Sequence, residues 1–394
     1  MLSDDIGADV ETESKIQTED RLFSLDLLRG LDMMLLVIVY PIIQAAHKVW
    51  TLPSALMQQL DHPRWIGFTL LDLVMPLFIF MCGAAIPFSL ERRLSRNGGR
   101  PNFAYWRHVA VRFLMLWCLG LLVQGYVTTL DMDEILPYSN TLQAIATGYF
   151  VAACLVVSGS MRMKIAVTVL LFAVYGALMH CLGDYTQVRP GGQGGDFAVL
   201  CELAVMRLFF PDSASAVRVI YCNYYTWCLT SMMFVVMTMC GYFATRMMIL
   251  DVSEKWKLRS LFAYAGGLLA CGGILSIWVP VIKHTFTVSF TALAMGVSVM
   301  LLSVSYYLTD VLRIRRGLGI CMLFGQFALT AYMCEEYFKP VFVKFSEMLL
   351  LPGVERIAGR YMPLVMAIAC TIELTAVLVI RREIKRRKTV KARL

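Results

Sequence analysis

A histidine and an aspartate close the two ends of one short block, HPRWIGFTLLD, at His62 and Asp72. An imidazole has a pKa near ~6.5 in water, so a histidine can take a proton from an attacking group at working pH. Asp72 opens an apolar run that continues as LVMPLFIFMCGAAIPFSL to Leu90. An aspartate at the centre of a membrane helix costs roughly 2.5–3.5 kcal/mol, so it is expected to face a partner or a wet cavity. Ten residues of unbroken helix would set the two groups ~15 Å apart. That spacing does not by itself give direct contact, and the expected arrangement is a tunnel polarised by Asp72 and closed by His62. The competing reading of His62 is an ordinary exposed loop histidine.

A second polar group lies in RLFSLDLLRGLDMM, from Arg21 to Met34. Asp26 and Arg29 are three residues apart, which puts them on one helix face. They form either an anchoring ion pair or an arginine held for an anionic ligand. Gly30 permits close backbone approach, and Asp32 is a second costly acid in an apolar segment. Further intramembrane candidates are Arg112, Gln124, Gln143 and Gln326, of which Arg112 could snorkel to the interface. Lys283 and His284 form a tight turn between two apolar runs, which makes His284 a second candidate base. His47 is a third, whereas His108 and His180 rank low.

These residues need helices to hold them. The chain of 394 residues is 58% hydrophobic and 16% charged, with a mean hydropathy of +0.66. Soluble domains have about 45–50% apolar and about 25% charged residues, so a soluble globular fold is excluded. Runs able to cross about 30 Å of hydrocarbon recur at 25–46, 66–90, 108–130, 141–160, 164–183, 223–247, 260–280, 286–309, 317–334 and 361–381. The predicted fold is all-α, a polytopic membrane protein of about ten transmembrane helices. With the N-terminus inside, the cytoplasmic loops and tail carry 22 Lys and Arg against 10 outside. This bias predicts cytoplasmic N- and C-termini and places His62 on the outer side. Residues 1–20 read as a disordered cytoplasmic tail, 21–381 as the transmembrane domain and 382–394 as a basic cytoplasmic tail. The outer segment 184–222 is expected to contain an interfacial or re-entrant helix, and 335–360 to lie along the membrane surface.

The net charge of +8 needs no nucleic acid, because basic loops face anionic lipid. The twelve cysteines show no CxxC pair and no metal-ligand spacing with histidine, so no metal is expected. No Walker loop, dinucleotide fingerprint or zinc signature is present.

Taken in order, SLDLLRGLD, HPRWIGFT with DLVMPLFIF and IPFS, LQAIATGY, PVIKHTFTVSF and FGQFALTAY resemble the heparan-alpha-glucosaminide N-acetyltransferase family of transmembrane acyltransferases, in its bacterial branch. The resemblance runs from about Arg21 to the tenth helix. It implies that acetyl-CoA is bound from the cytosol and that its acetyl group passes to an amino sugar on the far side. It implies His62 as the catalytic residue, with Asp72 as the acid of the same block. Asp26, Arg29 and Gln143 match family blocks and are assigned to the acetyl-CoA side, together with the basic pair Arg92 and Arg93. Lys283, His284 and Tyr40 are assigned to the acceptor; Tyr40 stands where relatives carry a small or polar residue. The expected partners are acetyl-CoA, a glucosamine-like saccharide and the lipid bilayer of a bacterial inner membrane, with a homodimer left open. A transporter or flippase of a small glycan or lipid precursor is the rival reading, since buried charges and many helices fit both.

Overall fold

The computed structural model describes residues 22–125, 136–183, 197–209 and 225–391. The expected tail over 1–20 lies outside the described residues, as does most of 184–222. Among the described residues the secondary structure is helical throughout, without strands.

In chain order the helices are α1 (Phe23–Met34), a π turn (Leu35–Val39), α2 (Tyr40–Val49), α3 (Ser54–Gln59), a 3₁₀ turn (Leu71–Leu73) and α4 (Val74–Ala84). Then come α5 (Arg92–Arg96), α6 (Phe103–Val123), α7 (Thr141–Val157), α8 (Met161–Leu182), α9 (Phe197–Phe209), α10 (Ser231–Met248), α11 (Glu254–Leu275) and α12 (Val288–Tyr306). The last are α13 (Gly319–Gln326), α14 (Ala328–Glu336), α15 (Lys339–Ala358) and α16 (Met362–Lys391). Side-chain caps fix several starts: Asn102 accepts from Tyr105 N, and Asn140 accepts from Leu142 N and Gln143 N. Each such cap satisfies donors that the first helical turn leaves without a partner.

Six helical spans are long and apolar enough to cross a membrane: Leu71–Arg96, Phe103–Val123, Met161–Leu182, Glu254–Leu275, Val288–Val311 and Gly359–Val390. The protein is thus an all-helical integral membrane protein. The other expected crossings are helical too, but shorter or interrupted. The first is broken into α1 and α2 by the π turn, and the ninth splits into α13 and α14 at Phe327.

Burial separates centre from rim. The apolar windows of Leu71–Arg96 and Val288–Val311 are each 72% buried, while those containing α6, α8 and α11 are 17% buried. Thus α4 and α12 form the centre, and α6, α8 and α11 turn most of their surface to lipid. Hydrocarbon is as apolar as leucine, so close packing rather than hydrophobic burial must join these helices. Reciprocal glycines provide it. A Cβ on Gly83 would stand 1.7 Å from Thr238 O, and one on Gly241 would stand 1.9 Å from Phe80 O. Thus α4 and α10 touch backbone to backbone. The pair α1 and α13 does the same: a Cβ on Gly30 would stand 1.8 Å from Cys321 O, and one on Gly325 1.9 Å from Asp26 O.

Gly83→Ala should therefore force α4 and α10 apart and destabilise the protein by at least ~1–3 kcal/mol, the usual cost of overpacking. A clear drop in the thermal midpoint in detergent is expected, and an unchanged midpoint would contradict the crossing.

Over 335–360, α15 packs along α16 as a hairpin. Ser346 Oγ donates to Glu373 Oε1 at 2.6 Å, which gives a buried serine a partner on the facing helix. Within 184–222 the described residues form the helix α9, as expected. Its Glu202 carboxylate accepts from Trp227 N at 2.9 Å and Cys228 N at 2.8 Å, which ties α9 to the entry of α10.

Candidate active site

The block from His62 to Asp72 does not continue as a helix. Gly67 has φ +151°, where a side chain would be strained, and a Cβ there would meet the Pro63 ring at 2.9 Å. The chain therefore folds back at this glycine. Gly67 N donates to Val281 O at 2.9 Å, which fastens this loop to the one before α12. That second loop is braced by Thr287, whose hydroxyl donates to Pro280 O at 2.9 Å and accepts from Ile282 N at 3.1 Å. Tyr175 on α8 donates to Thr285 O in the same loop.

The fold-back corrects the expected separation of His62 and Asp72. His62 Nδ1 is 2.6 Å from Asp72 Oδ1. The other carboxylate oxygen accepts from Thr69 N and Thr69 Oγ1, both at 3.0 Å. Lys283 Nζ stands 3.3 Å from Asp72 Oδ1, 3.3 Å from His62 Nδ1 and 3.4 Å from His62 Nε2. Thus Lys283, assigned from sequence to the acceptor, is part of the His–Asp group. The side chain of His62 is 41% exposed and that of Asp72 is fully buried, so only the imidazole is open to a reactant.

Opposite an ionised Asp72, which only accepts, a neutral His62 carries its proton on Nδ1 and its lone pair on Nε2. Burial lowers the Lys283 pKa below the ordinary lysine value, while Asp72 opposes that shift. Next to it, His284 is pushed down to about 4, first by burial and then by Lys283 and His62. His284 is thus neutral near pH 7 and stacks between two rings, with centroids 5.2 Å from Trp65 and 4.7 Å from Tyr225. It shapes an aromatic wall beside His62.

The other predicted residues fall elsewhere. Arg29 lies 3.5 Å from Asp26 Oδ1, and its guanidinium also donates to Met81 O at 3.3 Å. It lines a cavity of about 410 Å³ with Arg112, Cys82, Thr141, Gln326 and Tyr332. The Arg112 guanidinium lies 4.4 Å over the Tyr149 ring and 3.7 Å from Cys82 Sγ. Phe78 and Cys82 of α4 belong to this cavity, and Phe78 is six helical positions, ~9 Å, beyond Asp72. Gln143 is fully buried, with its amide engaged by Ser139 N at 2.7 Å and Pro137 O at 2.9 Å, so it closes a turn. Arg92 and Arg93 lie on the short α5, outside the lining of this cavity. Tyr40 lines a separate groove with Glu335, Glu336 and Lys339.

Sequence reasoning misses Thr69 and Tyr225. The T-x-x-D spacing of Thr69 and Asp72 is a signal that points to Thr69, since side-chain-to-backbone bonds over three residues are common. No local signal marks Tyr225.

The arrangement defines an integral membrane protein with a His–Asp–Lys group at the end of its central helices and a cationic cavity alongside. Residues 21–189 match the family model described as heparan-alpha-glucosaminide N-acetyltransferase, catalytic. Over those residues the chain is similar to that family. The chain is 29% identical over 156 residues to the heparan-alpha-glucosaminide N-acetyltransferase of Mus musculus, covering 39% of this chain and 22% of that protein. It is 31% identical over 138 residues to that of Homo sapiens, covering 34% of this chain and 19% of that protein. The aligned part thus spans about a fifth of these curated relatives. His62 and Asp72 fall within the matched residues; Lys283 and His284 lie beyond them.

Proposed function

We propose that the protein is a membrane-embedded acetyltransferase that moves an acetyl group from acetyl-CoA to the amine of an amino sugar, with His62 as the catalytic residue. The observation that carries this reading is the contact of a half-exposed imidazole with a buried carboxylate, 2.6 Å apart. The family of the matched residues supplies the reaction class.

In this reading the acceptor amine attacks the thioester carbonyl while His62 Nε2 takes the amine proton. The C–S bond breaks, and the departing thiolate takes that proton back from the imidazolium. Asp72 holds the imidazole in the correct tautomer and stabilises the cation that forms. Lys283 balances the charge of Asp72 in the resting protein. An acyl-histidine formed by Nε2 attack on the thioester is the other route open to the same residues.

Arg29 and Arg112 suit the phosphate-bearing donor, because guanidinium groups bind phosphate in two-pronged fashion. The thin pantetheine arm would then follow α4 towards Asp72. The 91–107 loop is the cytosolic side in this scheme. Cysteines placed at position 62 and in that loop should label from opposite faces of the membrane, and labelling from one face would rule out transfer across it.

Calorimetry of the detergent-purified protein tests the donor directly. Acetyl-CoA should bind and be consumed when glucosamine is supplied; absence of binding would favour a transporter. Arg29→Ala should raise the acetyl-CoA KM about tenfold for each ~1.4 kcal/mol lost, with the acceptor KM nearly unchanged. An unaltered donor KM would leave Arg29 with a structural role only, at Asp26 and Met81 O.

A further inference from the structure

The spans α8 and α11 both pack on α10 and α12. Between them lies a groove of about 710 Å³, lined by Phe172, Leu268, Cys271, Met295, Trp256 and Arg246, among others. It belongs to the rim of the molecule, since both wall helices are only 17% buried. Arg246 is the one charged side chain in its lining among the described residues. The threonines in it are satisfied at home: Thr168 Oγ1 donates to Lys164 O at 2.8 Å and Thr291 Oγ1 to Phe286 O at 3.1 Å. The groove is therefore apolar along its length and cationic at one end.

That end carries more cation than anion. Glu91 Oε2 accepts from Arg246 at 3.3 Å, its Oε1 accepts from Tyr242 and lies 3.7 Å from Lys164 Nζ. Two cations thus share one carboxylate, leaving a net charge of +1 in the cluster. The Arg246 Nε–H is buried and has no hydrogen-bond partner among the described residues. The Arg246 side chain as a whole is 37% exposed, so its guanidinium is open to a phosphate oxygen at the groove end. Trp256, 47% exposed, stands at the same end, where indole rings favour the membrane–water boundary.

The length decides the occupant. From Trp256 to Cys271 along α11 is ~22 Å, at 1.5 Å per residue. One leaflet contributes half of the ~30 Å hydrocarbon core, or ~15 Å. The groove is long enough for a whole acyl chain hanging from a headgroup at Arg246. We propose that it holds a bilayer phospholipid with an anionic headgroup, its phosphate on Arg246 and one acyl chain between α8 and α11, in the leaflet on the side of the 91–107 loop. The occupant is part of the protein's boundary and is independent of the acetyl-transfer reading.

Photo-crosslinking of the full-length wild-type chain tests this without any variant. The protein is placed in nanodiscs of phosphatidylcholine doped with phosphatidylglycerol whose acyl chain bears a diazirine. Labelled peptides should come mainly from α8 and α11, and unlabelled phosphatidylglycerol should suppress them. Glycerol phosphate, which has the headgroup chemistry without chains, should not. Labelling spread evenly over all lipid-facing helices and unaffected by competitor would overturn the proposal, as would full suppression by glycerol phosphate. Native mass spectrometry gives the second arm. Arg246→Gln should reduce retained phosphatidylglycerol about tenfold or more, the worth of a charge-assisted bond. Leu268→Trp, which fills the deep half, should do the same with Arg246 intact. Equal retention of phosphatidylglycerol in the wild type and both variants would refute the assignment.

Discussion

His62→Ala should lower acetyl transfer at least ~10²–10⁴-fold, the usual worth of general acid–base catalysis, while the protein still folds and binds acetyl-CoA. The side chain is 41% exposed, and its truncation removes little packing. It leaves Asp72 with Thr69 N, Thr69 Oγ1 and Lys283 as partners, so the carboxylate is not stranded. The fold should therefore survive, with a thermal midpoint close to that of the wild type. The donor affinity should also persist, because Arg29 and Arg112 line a cavity of which His62 is not part. His284→Ala should cost far less in rate, since His284 is neutral and stacked between Trp65 and Tyr225. Near-normal turnover in His62→Ala, with activity lost in His284→Ala instead, would move the catalytic assignment to the second histidine.

Asp72→Asn should be as damaging to the rate and more damaging to the fold. The amide matches the carboxylate in shape but carries no charge. It can present its NH₂ to His62 Nδ1, which then accepts, and the proton moves to Nε2. The lone pair needed for proton abstraction is lost, and a rate loss of ~10²–10⁴-fold is expected. The Lys283 ammonium, buried in the same cluster, loses its counter-charge at 3.3 Å. Breaking a buried ion pair from one side costs on the order of 3–5 kcal/mol. The double change Asp72→Asn with Lys283→Met should recover much of that stability and none of the activity. Kinetics and thermal unfolding of the two variants separate the roles. An Asp72→Asn protein with wild-type turnover would show that Asp72 only holds the loop.

Several residues of the site are legible in the amino-acid sequence because each is out of place in its surroundings. His62, Asp72, Arg29 and Arg112 are polar groups in or beside long apolar runs, where an isolated charge is expensive. The same reasoning picks out Gln143, yet its amide serves the 137–139 turn. Cost of burial marks a residue as needing partners; it does not say whether those partners are a ligand or the backbone. Lys283 is legible as a turn residue, but its partner Asp72 lies far off in the chain, in the 3₁₀ turn before α4. Tyr40, assigned to the acceptor through the family resemblance, lines a groove with Glu335 and Lys339 that no local signal in the sequence marks.

The sequence by itself determined that the chain is helical and membrane-embedded, because hydropathy and backbone hydrogen bonding leave apolar runs of this length few alternatives. It also determined which side chains are costly enough to need a function or a partner. Only the tertiary structure decided which of them meet. The turn at Gly67 brings His62 onto Asp72 across an interval that a helix would have held open. The Gly67–Val281 bond then carries Lys283 to the same carboxylate. The physical reason is that lipid and leucine are equally apolar, so hydropathy cannot tell one face of a membrane helix from another. Which faces pair is set by where backbones can touch, as at Gly83 on Thr238 and Gly30 on Cys321.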